Sequence, residues 1–452
     1  MKDLVKILDH RRDREEIATR MASRSSQVTP ELIQSVAQIV EDVRKRGDRA
    51  VYDATAKWDS VELSSLEVEA SEIESAKAGL PARLAWAMRK ARGRIAKLNR
   101  RLIRGRSQWM DALDPWIEVG EKWTPLSSAG LWVPCRKGPL ASTMLMLAVP
   151  ASVAGVEEIV AAGPPRKDGS MDPATLAAAA ISGVSRVFRG NGVALIAAMA
   201  FGTESVPRVD AIYGPGPPAI NAAMGYVGIY GVRTGPLMGP SECMVIADES
   251  SDPGQVAADL LNECEHGPDS SAVLVTDSPG LAAQVSAEIA RLAQELDEPR
   301  KGYVEEALSA RGMIVLVSSK SEAAEFVNSY APEHLQIALG RRESMRMLGM
   351  IRNAGEILLG QSTPFSAANY AMGLTAVLPT GGSARAFSGL TARDFLKAST
   401  IGALDPKALR GVCEIVSLLG TAEGLPAHVR ACVGKLQARP SKAVSKRRKR
   451  NR

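Results

Sequence analysis

Short runs of β-forming residues alternate with apolar helical stretches from about Gly130 onward, and this alternation restricts the possible folds more than any other feature. Runs of a first series occur at 159–162, 185–188 and 209–213, each followed by Gly or Pro and then by a helical stretch. Runs of a second series occur at 243–247, 272–276, 313–317 and 356–359, separated by helical patterns at 254–265, 280–295 and 321–329. Strands that alternate with helices in this way form parallel sheets with helices on their faces. We therefore predict an α/β fold with two doubly wound, Rossmann-like parallel-sheet domains plus small helical N- and C-terminal segments.

Patterns outside these two series divide the chain further. Thr29 and Pro30 are typical of a helix cap and a first helical residue, and a strongly basic helix is predicted at 82–102. The arginines of that basic helix indicate a solvated face more than a nucleic-acid groove. The predicted domains are a helical segment at 1–24, a discontinuous α/β domain at 25–130 and 241–390, a second α/β domain at 131–240, a C-terminal helical domain at 391–437 and a basic disordered tail at 438–452.

The net charge of +6 comes from the end of the chain, which carries eight basic and no acidic residues from Arg439 onward. Subtracting these eight charges from +6 leaves −2 for the rest of the chain. Such a run is compatible with a solubilising tail or with a weak contact to nucleic acid or another polyanion. Apart from that tail, nucleic acid is not an expected partner.

Cysteine usage and apolar patterning predict a cytoplasmic protein with no membrane partner. The five cysteines form no CxxC pair, and an odd count in a large chain suits a reducing compartment. The N-terminal residues are too charged for a signal peptide. The most apolar stretches, at 144–156 and 193–201, are short and interrupted by Pro or Gly, so we interpret them as core segments.

Glu263 and His266 lie three residues apart at the end of a helical pattern, so their side chains share one helix face. A carboxylate and an imidazole in this arrangement are compatible with half of a metal site and also with a surface pair. The stretch from Gly214 to Ala219 has the GxGxxA form after a strand, which by itself is a weak dinucleotide signal and more typical of a structural turn.

The chain has only four histidines, and three of them stand near carboxylates at element boundaries. His334 follows Glu333 in a loop that leads into an apolar strand, and His428 opens the last helix, five residues after Glu423. Imidazoles in such places are candidate metal ligands and general bases. His10 is expected to be exposed in the N-terminal helix.

Specific motifs in a specific order resemble those of the histidinol dehydrogenase family over about 28–435. They are Trp123-Thr124-Pro125-Leu126, Gly130-Leu131-Trp132-Val133-Pro134, Ala148-Val149-Pro150-Ala151, Ala200-Phe201-Gly202-Thr203-Glu204, Gly239-Pro240-Ser241-Glu242, Ala258-Asp259-Leu260-Leu261 with 265–270, 331–335, and Val377-Leu378-Pro379-Thr380-Gly381-Gly382.

The resemblance implies an enzyme of histidine biosynthesis that uses zinc and two successive NAD molecules. The implied reaction oxidises L-histidinol through an aldehyde to L-histidine, with Glu333 activating water and His334 accepting protons. A homodimer is also implied, in which the C-terminal domain reaches the site of a neighbouring subunit. The remaining implied site residues are Ser241 and Glu423 for the substrate, Trp132 for the cofactor, and Glu263, His266, Asn369 and His428 for the metal.

The chain departs from the family pattern at positions that carry chemistry. Glu263 stands where the family has Gln, and Asn369 where it has Asp, so the pair still holds one carboxylate and one amide. This exchange would keep the −1 charge that partly offsets Zn²⁺. Ala376 replaces a family His that contacts the substrate. At the cofactor site the differences are Trp132 for Tyr, Ala194 for Gln and Pro217 for Asn.

Three interpretations follow. The first is a zinc enzyme that oxidises histidinol. The second keeps the chemistry of Glu333 and His334 but acts on another amino or hydroxy alcohol. The third is a non-catalytic homologue that acts as a binding protein. The presence of Glu333, His334, His266 and His428 argues against it, because buried charges that lose their function destabilise a fold.

Overall fold

A computed structural model of the chain describes residues 4–24, 28–135, 138–236 and 238–437. The strands are β1 Lys6–Asp9, β2 Gln108–Asp114, β3 Ile117–Pro125, β4 Ser128–Trp132, β5 Glu158–Gly163, β6 Arg186–Arg189, β7 Ala211–Tyr213, β8 Arg233–Thr234, β9 Glu242–Ala247, β10 Ser271–Thr276, β11 Met313–Leu316, β12 His334–Ala338, β13 Glu356–Leu359 and β14 Leu396–Leu404.

The helices are α1 Arg14–Ser23, α2 Pro30–Arg46, α3 Asp48–Asp59, α4 Ala70–Ala78, α5 Ala82–Leu102, α6 Ala141–Ala154, α7 Pro173–Ser182, α8 Gly192–Phe201, α9 Pro218–Gly228, α10 Pro253–Cys264, α11 Pro279–Ala293, α12 Arg300–Arg311, α13 Lys320–Tyr330, α14 Arg341–Met350, α15 Phe365–Ala367, α16 Leu409–Ala422 and α17 Pro426–Gln437. A π-helical turn at Ala368–Met372 continues α15.

Contacts group the chain into two compact units. The larger unit contains 1–103 and 125–395, and the smaller contains 104–124 together with the chain from 396 onward. Within the described residues, strands of the larger unit form a six-stranded and a five-stranded sheet, and strands of the smaller unit form a three-stranded sheet.

The six-stranded sheet has the order β1-β11-β10-β9-β12-β13, and its neighbouring strands are parallel. The chain winds from β9 through β10 to β11 in one direction, and through β12 to β13 in the other. Side chains of β9 alternate between two core clusters, because successive strand residues point to opposite faces. Val245 packs in one cluster with α10 and α11, and Met244 and Ile246 pack in the other with α13. This arrangement confirms the second predicted series as a doubly wound sheet.

The five-stranded sheet has the order β6-β5-β4-β7-β8 and is also parallel throughout. The chain winds from β4 outward to β6 on one side and then to β8 on the other, which confirms the first predicted series. Both sheets are therefore of the predicted doubly wound type.

The N-terminal segment differs from the helix predicted over 1–24. Lys6–Asp9 forms β1 and pairs in parallel with Met313–Leu316, so only the part from Arg14 onward is helical. The short apolar pair Ile7-Leu8 gains backbone hydrogen bonds at the edge of a sheet, which a helical pattern cannot show. Nδ1 of His10 lies 2.9 Å from Oε1 of Glu322, and its ring packs edge-on against Phe326. His10 is therefore partly buried, whereas the sequence analysis expected it to be exposed.

The segment predicted as 25–130 is divided differently in the structure. Thr29 caps α2 as expected, with its hydroxyl accepting from the backbone of Leu32. Apolar residues of α2 and α3 pack in one core cluster with β5, β6, α8 and α9. The buried apolar residues of α2 and α3 thus face the five-stranded sheet and not the six-stranded one. The basic helix α5 has the predicted bounds Ala82–Leu102.

The smaller unit contains a strand that the sequence analysis assigned to a helix. β14 at Leu396–Leu404 joins the antiparallel pair β2 and β3 in one sheet. Its central Ser399, Thr400 and Ile401 include β-branched residues, which suit a strand. The C-terminal domain predicted at 391–437 is therefore helical only in α16 and α17. The predicted basic tail at 438–452 lies outside the described residues. Among the residues that the structure describes, no helix is long and apolar enough to cross a membrane.

Candidate active site

A cavity of about 940 Å³ is lined by residues from both sheets of the larger unit. From the six-stranded sheet it takes the amino ends of strands, since Ser241 precedes β9 and Glu333 and His334 stand at the start of β12. From the five-stranded sheet it takes the carboxyl ends, since Trp132 closes β4 and Pro215 follows β7. The volume is at the upper end of the range of roughly 300–1,000 Å³ that is usual for ligand cavities. The cavity is the candidate active site.

Glu263 is a buried carboxylate in the wall of this cavity, with 1% of its surface exposed. Its Oε1 accepts hydrogen bonds from Nδ2 of Asn369 at 2.9 Å and from Nδ2 of Asn262 at 2.7 Å. Its Oε2 lies 3.3 Å from Nε2 of His266. The helical pair therefore faces a cavity, and its partner from the chain beyond α15 is Asn369.

His334 stands among three carboxylates. Its Nδ1 lies 2.6 Å from Oε1 of Glu356, while its Nε2 lies 3.7 Å from Oε1 of Glu333 and 3.9 Å from Oε2 of Glu263. The ring also packs edge-on against Phe365, with ring centroids 5.6 Å apart. The parallel register of β12 and β13 makes His334 and Glu356 direct neighbours. The imidazole is thus fixed at one nitrogen and faces the cavity groups with the other.

Glu333 is held by the backbone of Glu242, whose own side chain forms a buried ion pair that the sequence analysis did not identify. Its Oε2 accepts the backbone N–H of Glu242 at 2.9 Å. The Glu242 carboxylate in turn accepts from Nη1 of Arg24 at 2.9 Å and from the backbone N–H of Gly381 at 2.8 Å. Arg24 also stacks over the ring of Tyr330, with its Cζ 3.6 Å from the centroid. Arg24, at the end of α1, therefore binds the residue that holds Glu333 in the cavity wall.

These contacts shift the pKa values of the buried groups. Burial raises the pKa of Glu333 to about 8, and the attraction of His334 only partly opposes it. Burial would lower the pKa of His334, but the surrounding carboxylates Glu263, Glu333 and Glu356 outweigh burial and raise it. Burial would raise the pKa of Glu263, but His334, His266 and Asn369 reverse the effect and lower it. The site therefore holds one carboxylate with a raised pKa, Glu333, and one with a lowered pKa, Glu263, beside the same imidazole.

The residues present fit a metal ion. Oδ1 of Asn369 is buried and, among the described residues, has no hydrogen-bond partner, while the Nδ2 of the same amide contacts Glu263. A carboxylate, an imidazole and an amide oxygen beside one another are donors that Zn²⁺ accepts. In the described part of the chain, no three His, Cys, Asp or Glu side chains are arranged as a metal site. The amide oxygen of Asn369 is therefore needed for the donor set.

The opposite half of the cavity lies at the carboxyl ends of strands of the five-stranded sheet. Trp132 is buried, and its Nε1 finds no hydrogen-bond partner within the residues that the structure describes. A side chain at Gly192 would bring a Cβ within 2.8 Å of the Trp132 ring, so glycine keeps this wall open. Pro217 also lines the cavity, whereas Ala194 is fully buried inside α8. Open α/β sheets bind ligands at the carboxyl ends of their strands, and this half of the cavity has that position.

The predicted site residues fall into two groups. Seven of them line the cavity: Trp132, Ser241, Glu263, His266, Glu333, His334 and Asn369. Ala376 lines it as well. Glu423 and His428 belong to the smaller unit, where Glu423 follows α16 and His428 lies in α17.

Sequence reasoning missed Glu356, Glu242 and Arg24. A charged residue at the first position of the otherwise apolar strand Glu356–Leu359 was a usable signal. Glu242 likewise opens β9. No spacing rule connects Arg24 with either of them, because the contact spans 218 residues.

Comparisons with known proteins agree over nearly the whole chain. A family model described as histidinol dehydrogenase matches residues 22–436. A histidinol dehydrogenase from Synechocystis sp. is 40% identical over 414 residues, which cover 90% of this chain and 94% of that protein. One from Methanosarcina mazei is 39% identical over 408 residues, covering 90% and 93%.

A solved structure extends this agreement to the fold. The crystal structure of histidinol dehydrogenase from Elizabethkingia anophelis matches with a TM-score of 0.90 at 30% identity, covering 97% of this chain and 99% of that one. These relatives are enzymes that act on CH–OH groups, which sets aside the non-catalytic interpretation. Family model, sequence identity and backbone agree, and the chain belongs to the histidinol dehydrogenase family.

Proposed function

We propose that this chain catalyses the zinc-dependent, NAD-linked oxidation of L-histidinol through the aldehyde to L-histidine. The observation that carries the proposal is the position of His334, whose Nε2 faces Glu333 at 3.7 Å and Glu263 at 3.9 Å in the cavity wall. An imidazole and a high-pKa carboxylate side by side supply the two bases that an alcohol oxidation and an aldehyde hydration need.

His334 and Glu333 divide the proton transfers. In the first oxidation, Nε2 of His334 accepts the proton of the substrate hydroxyl. Glu333 then takes a proton from the water that attacks the aldehyde carbon, and burial makes its ionised form a stronger base than an exposed carboxylate. In the second oxidation, Nε2 of His334 accepts the proton of the hydrate.

The cofactors would act through residues already described. Zinc held by Glu263, His266, Asn369 and His428 would anchor the substrate, and NAD beside Trp132 would accept one hydride in each oxidation. His334 must be neutral to accept a proton. Because Glu263 is a main cause of its raised pKa, a Glu263 carboxylate engaged with a cation favours the neutral ring.

The proposal includes a homodimer in which Glu423 and His428 complete the site of the second copy. Mixing two inactive variants, Glu333→Gln and His428→Ala, tests this arrangement. Mixed dimers should contain one intact site and regain part of the activity. Mixtures that stay inactive although the subunits exchange would contradict it.

The experiment that tests the function measures NADH and product from histidinol with the purified, zinc-loaded chain. We expect two NADH per histidine formed, loss of turnover in His334→Asn, and accumulation of the aldehyde in Glu333→Gln. Absence of bound zinc and of nucleotide binding by calorimetry would overturn the proposal.

A second candidate keeps the same bases but oxidises another amino or hydroxy alcohol. Ala376 favours it, because this residue lines the cavity with a methyl group that cannot bind a polar substrate atom. Sites built around a substrate hydrogen bond lose several powers of ten in discrimination when that bond is missing. Turnover of other alcohols without NADH from histidinol would select this candidate, and Ala376→His should then raise activity toward histidinol.

A further inference from the structure

Glu356 is the first residue of β13, and its carboxylate contacts the Nδ1 side of the His334 ring, away from Glu333 and Glu263. Its Oε1 lies 2.6 Å from Nδ1 of His334, and 7% of its side chain is exposed. Strand pairing fixes this contact, because Glu356 and His334 are register partners in neighbouring parallel strands. The backbone N–H of Glu356 also donates to the carbonyl oxygen of Glu333 at 2.9 Å.

The residue before Glu356 shows how closely the two strands approach. A Cβ at Gly355 would lie 2.5 Å from the carbonyl oxygen of Glu333, so glycine is required at this position. The N–H of Gly355 donates to the carbonyl oxygen of Pro332 at 2.9 Å. The backbone therefore holds Glu356 against the imidazole with little freedom to move away.

A carboxylate that served only to tie β13 to its neighbours would satisfy both oxygens. Oε2 of Glu356 is instead buried and, among the residues that the structure describes, accepts no hydrogen bond. Only Oε1 is engaged, in the 2.6 Å contact with Nδ1 of His334 within the described residues. A buried oxygen without a hydrogen-bond partner lowers the stability of the fold. Such a cost is typical of a group retained for function.

We propose that Glu356 is a positioning residue that keeps the proton of neutral His334 on Nδ1, so that the lone pair of Nε2 faces the cavity. A carboxylate at one imidazole nitrogen fixes the tautomer and orientation of the ring in the same way in other sites. Edge-on packing against Phe365 holds the ring from a second side. The effect of Glu356 on turnover rests on the proposed function, whereas the tautomer does not.

The proton balance follows from this tautomer. Neutral His334 carries its hydrogen on Nδ1 and accepts the substrate proton at Nε2, which gives an imidazolium with a hydrogen on each nitrogen. Its positive charge then lies between Glu356 on one side and Glu333 on the other. Loss of the Nε2 proton to water restores the starting tautomer, and no oxidant is consumed in this step.

Nitrogen NMR of the zinc-loaded, histidine-labelled protein tests the proposal directly. The chain has only four histidines, so the signals that disappear in His334→Asn identify His334, and the proposed zinc ligands His266 and His428 stay in place. At alkaline pH, where the ring is neutral, we expect a protonated Nδ1 and an unprotonated Nε2. Glu356→Gln should keep this tautomer, because an amide oxygen can accept from Nδ1–H, and Glu356→Leu should lose it. A protonated Nε2 in the unaltered protein would overturn the proposal.

Kinetics of the same variants separate positioning from a structural role. We expect Glu356→Leu to lower kcat by on the order of 10²–10⁴ with the KM for NAD unchanged, and Glu356→Gln to lower it far less. A folded Glu356→Leu protein that keeps both the tautomer and kcat would also overturn the proposal. If histidinol is not the substrate, the spectra still decide the tautomer, and if Glu356→Leu does not fold, the unaltered protein and Glu356→Gln still decide it.

Discussion

The backbone N–H of Glu242 donates a 2.9 Å hydrogen bond to Oε2 of Glu333, so the first residue of β9 holds one of the two proposed bases. Glu242 itself is 1% exposed and is compensated by Arg24, which is 7% exposed. The residue that holds the carboxylate of Glu333 is thus itself held by an ion pair with the N-terminal segment.

Removing Arg24 should be strongly destabilising. Arg24→Met leaves the buried carboxylate of Glu242 without its counter-charge, and we expect the free energy of unfolding to fall by about 3–5 kcal/mol. Urea unfolding measures this loss. Arg12→Met is the matched control, because Arg12 is 79% exposed and pairs with Asp9 at 3.4 Å, so its loss should cost about 0–1 kcal/mol. Equal effects of the two substitutions would show that the buried pair gives no support.

Turnover of the aldehyde should depend on the ionisation of Glu333. Burial raises its pKa to about 8, so the carboxyl is protonated and inactive as a base below that pH. We expect kcat/KM for the aldehyde to rise through about pH 8 and then to level. Glu333→Gln should lower kcat by roughly 10²–10⁴ and abolish the rising limb. A limb that persists in this variant would assign the pH dependence to another group.

The exchanged carboxylate and amide at positions 263 and 369 should act as a pair. Glu263→Gln leaves two amides and Asn369→Asp leaves two carboxylates, so each single change alters the charge around the metal. We expect each to weaken zinc binding by about 10-fold or more, and the double change to recover most of the affinity. Calorimetry with a competing chelator measures the affinities.

The charge-matched control for that pair is Glu265→Gln, which removes a carboxylate from the same stretch of chain. It should change zinc affinity less than Glu263→Gln does. A double variant at 263 and 369 that binds zinc no better than its weaker parent would show that the two exchanges do not compensate.

Stability at acid pH should depend on Glu322, which anchors the N-terminal segment. Hydrogen bonds from Ser318, His10 and Arg11 hold its pKa far below the ordinary value of 4.5. A lowered pKa in the folded state stabilises the protein above about pH 4.5, and this stabilisation is lost as the pH falls below that value. We expect Glu322→Gln to reduce the free energy of unfolding by about 2 kcal/mol at neutral pH.

Urea unfolding at several pH values checks both the size and the sign of this effect. The difference between Glu322→Gln and the unaltered protein should shrink as the pH is lowered from 7 towards about 3. Glu325→Gln on the exposed side of the same helix is the control and should show no such dependence. A difference that grows on acidification would contradict the role of Glu322.

Long periodic segments made most of the fold predictable. The alternation of strands and helices after Gly130 predicted both parallel sheets, and the amphipathic pattern predicted α5 with its observed bounds. β1 and β14 were missed because they form strands by pairing with a neighbouring strand. That pairing does not produce a periodic pattern of apolar residues in the local sequence.

The candidate site was predictable only in part, for a related reason. The resemblance located Glu333 and His334, and the structure places them beside Glu263 and Asn369 in one cavity. Contacts made by strand register or by distant segments have no signature in spacing. Glu356 lies 22 residues from His334 in the chain, and only the pairing of β12 with β13 brings them together.

The two halves of the cavity belong to different sheets, and this separation makes them independently adjustable. The proposed bases Glu333 and His334 stand at the amino edge of the six-stranded sheet, and the wall around Trp132 stands at the carboxyl edge of the five-stranded sheet. Under the proposed function, substitutions around Trp132 would alter cofactor preference on one sheet without moving the proposed bases on the other. An engineer could then change the choice of dinucleotide and the choice of alcohol separately.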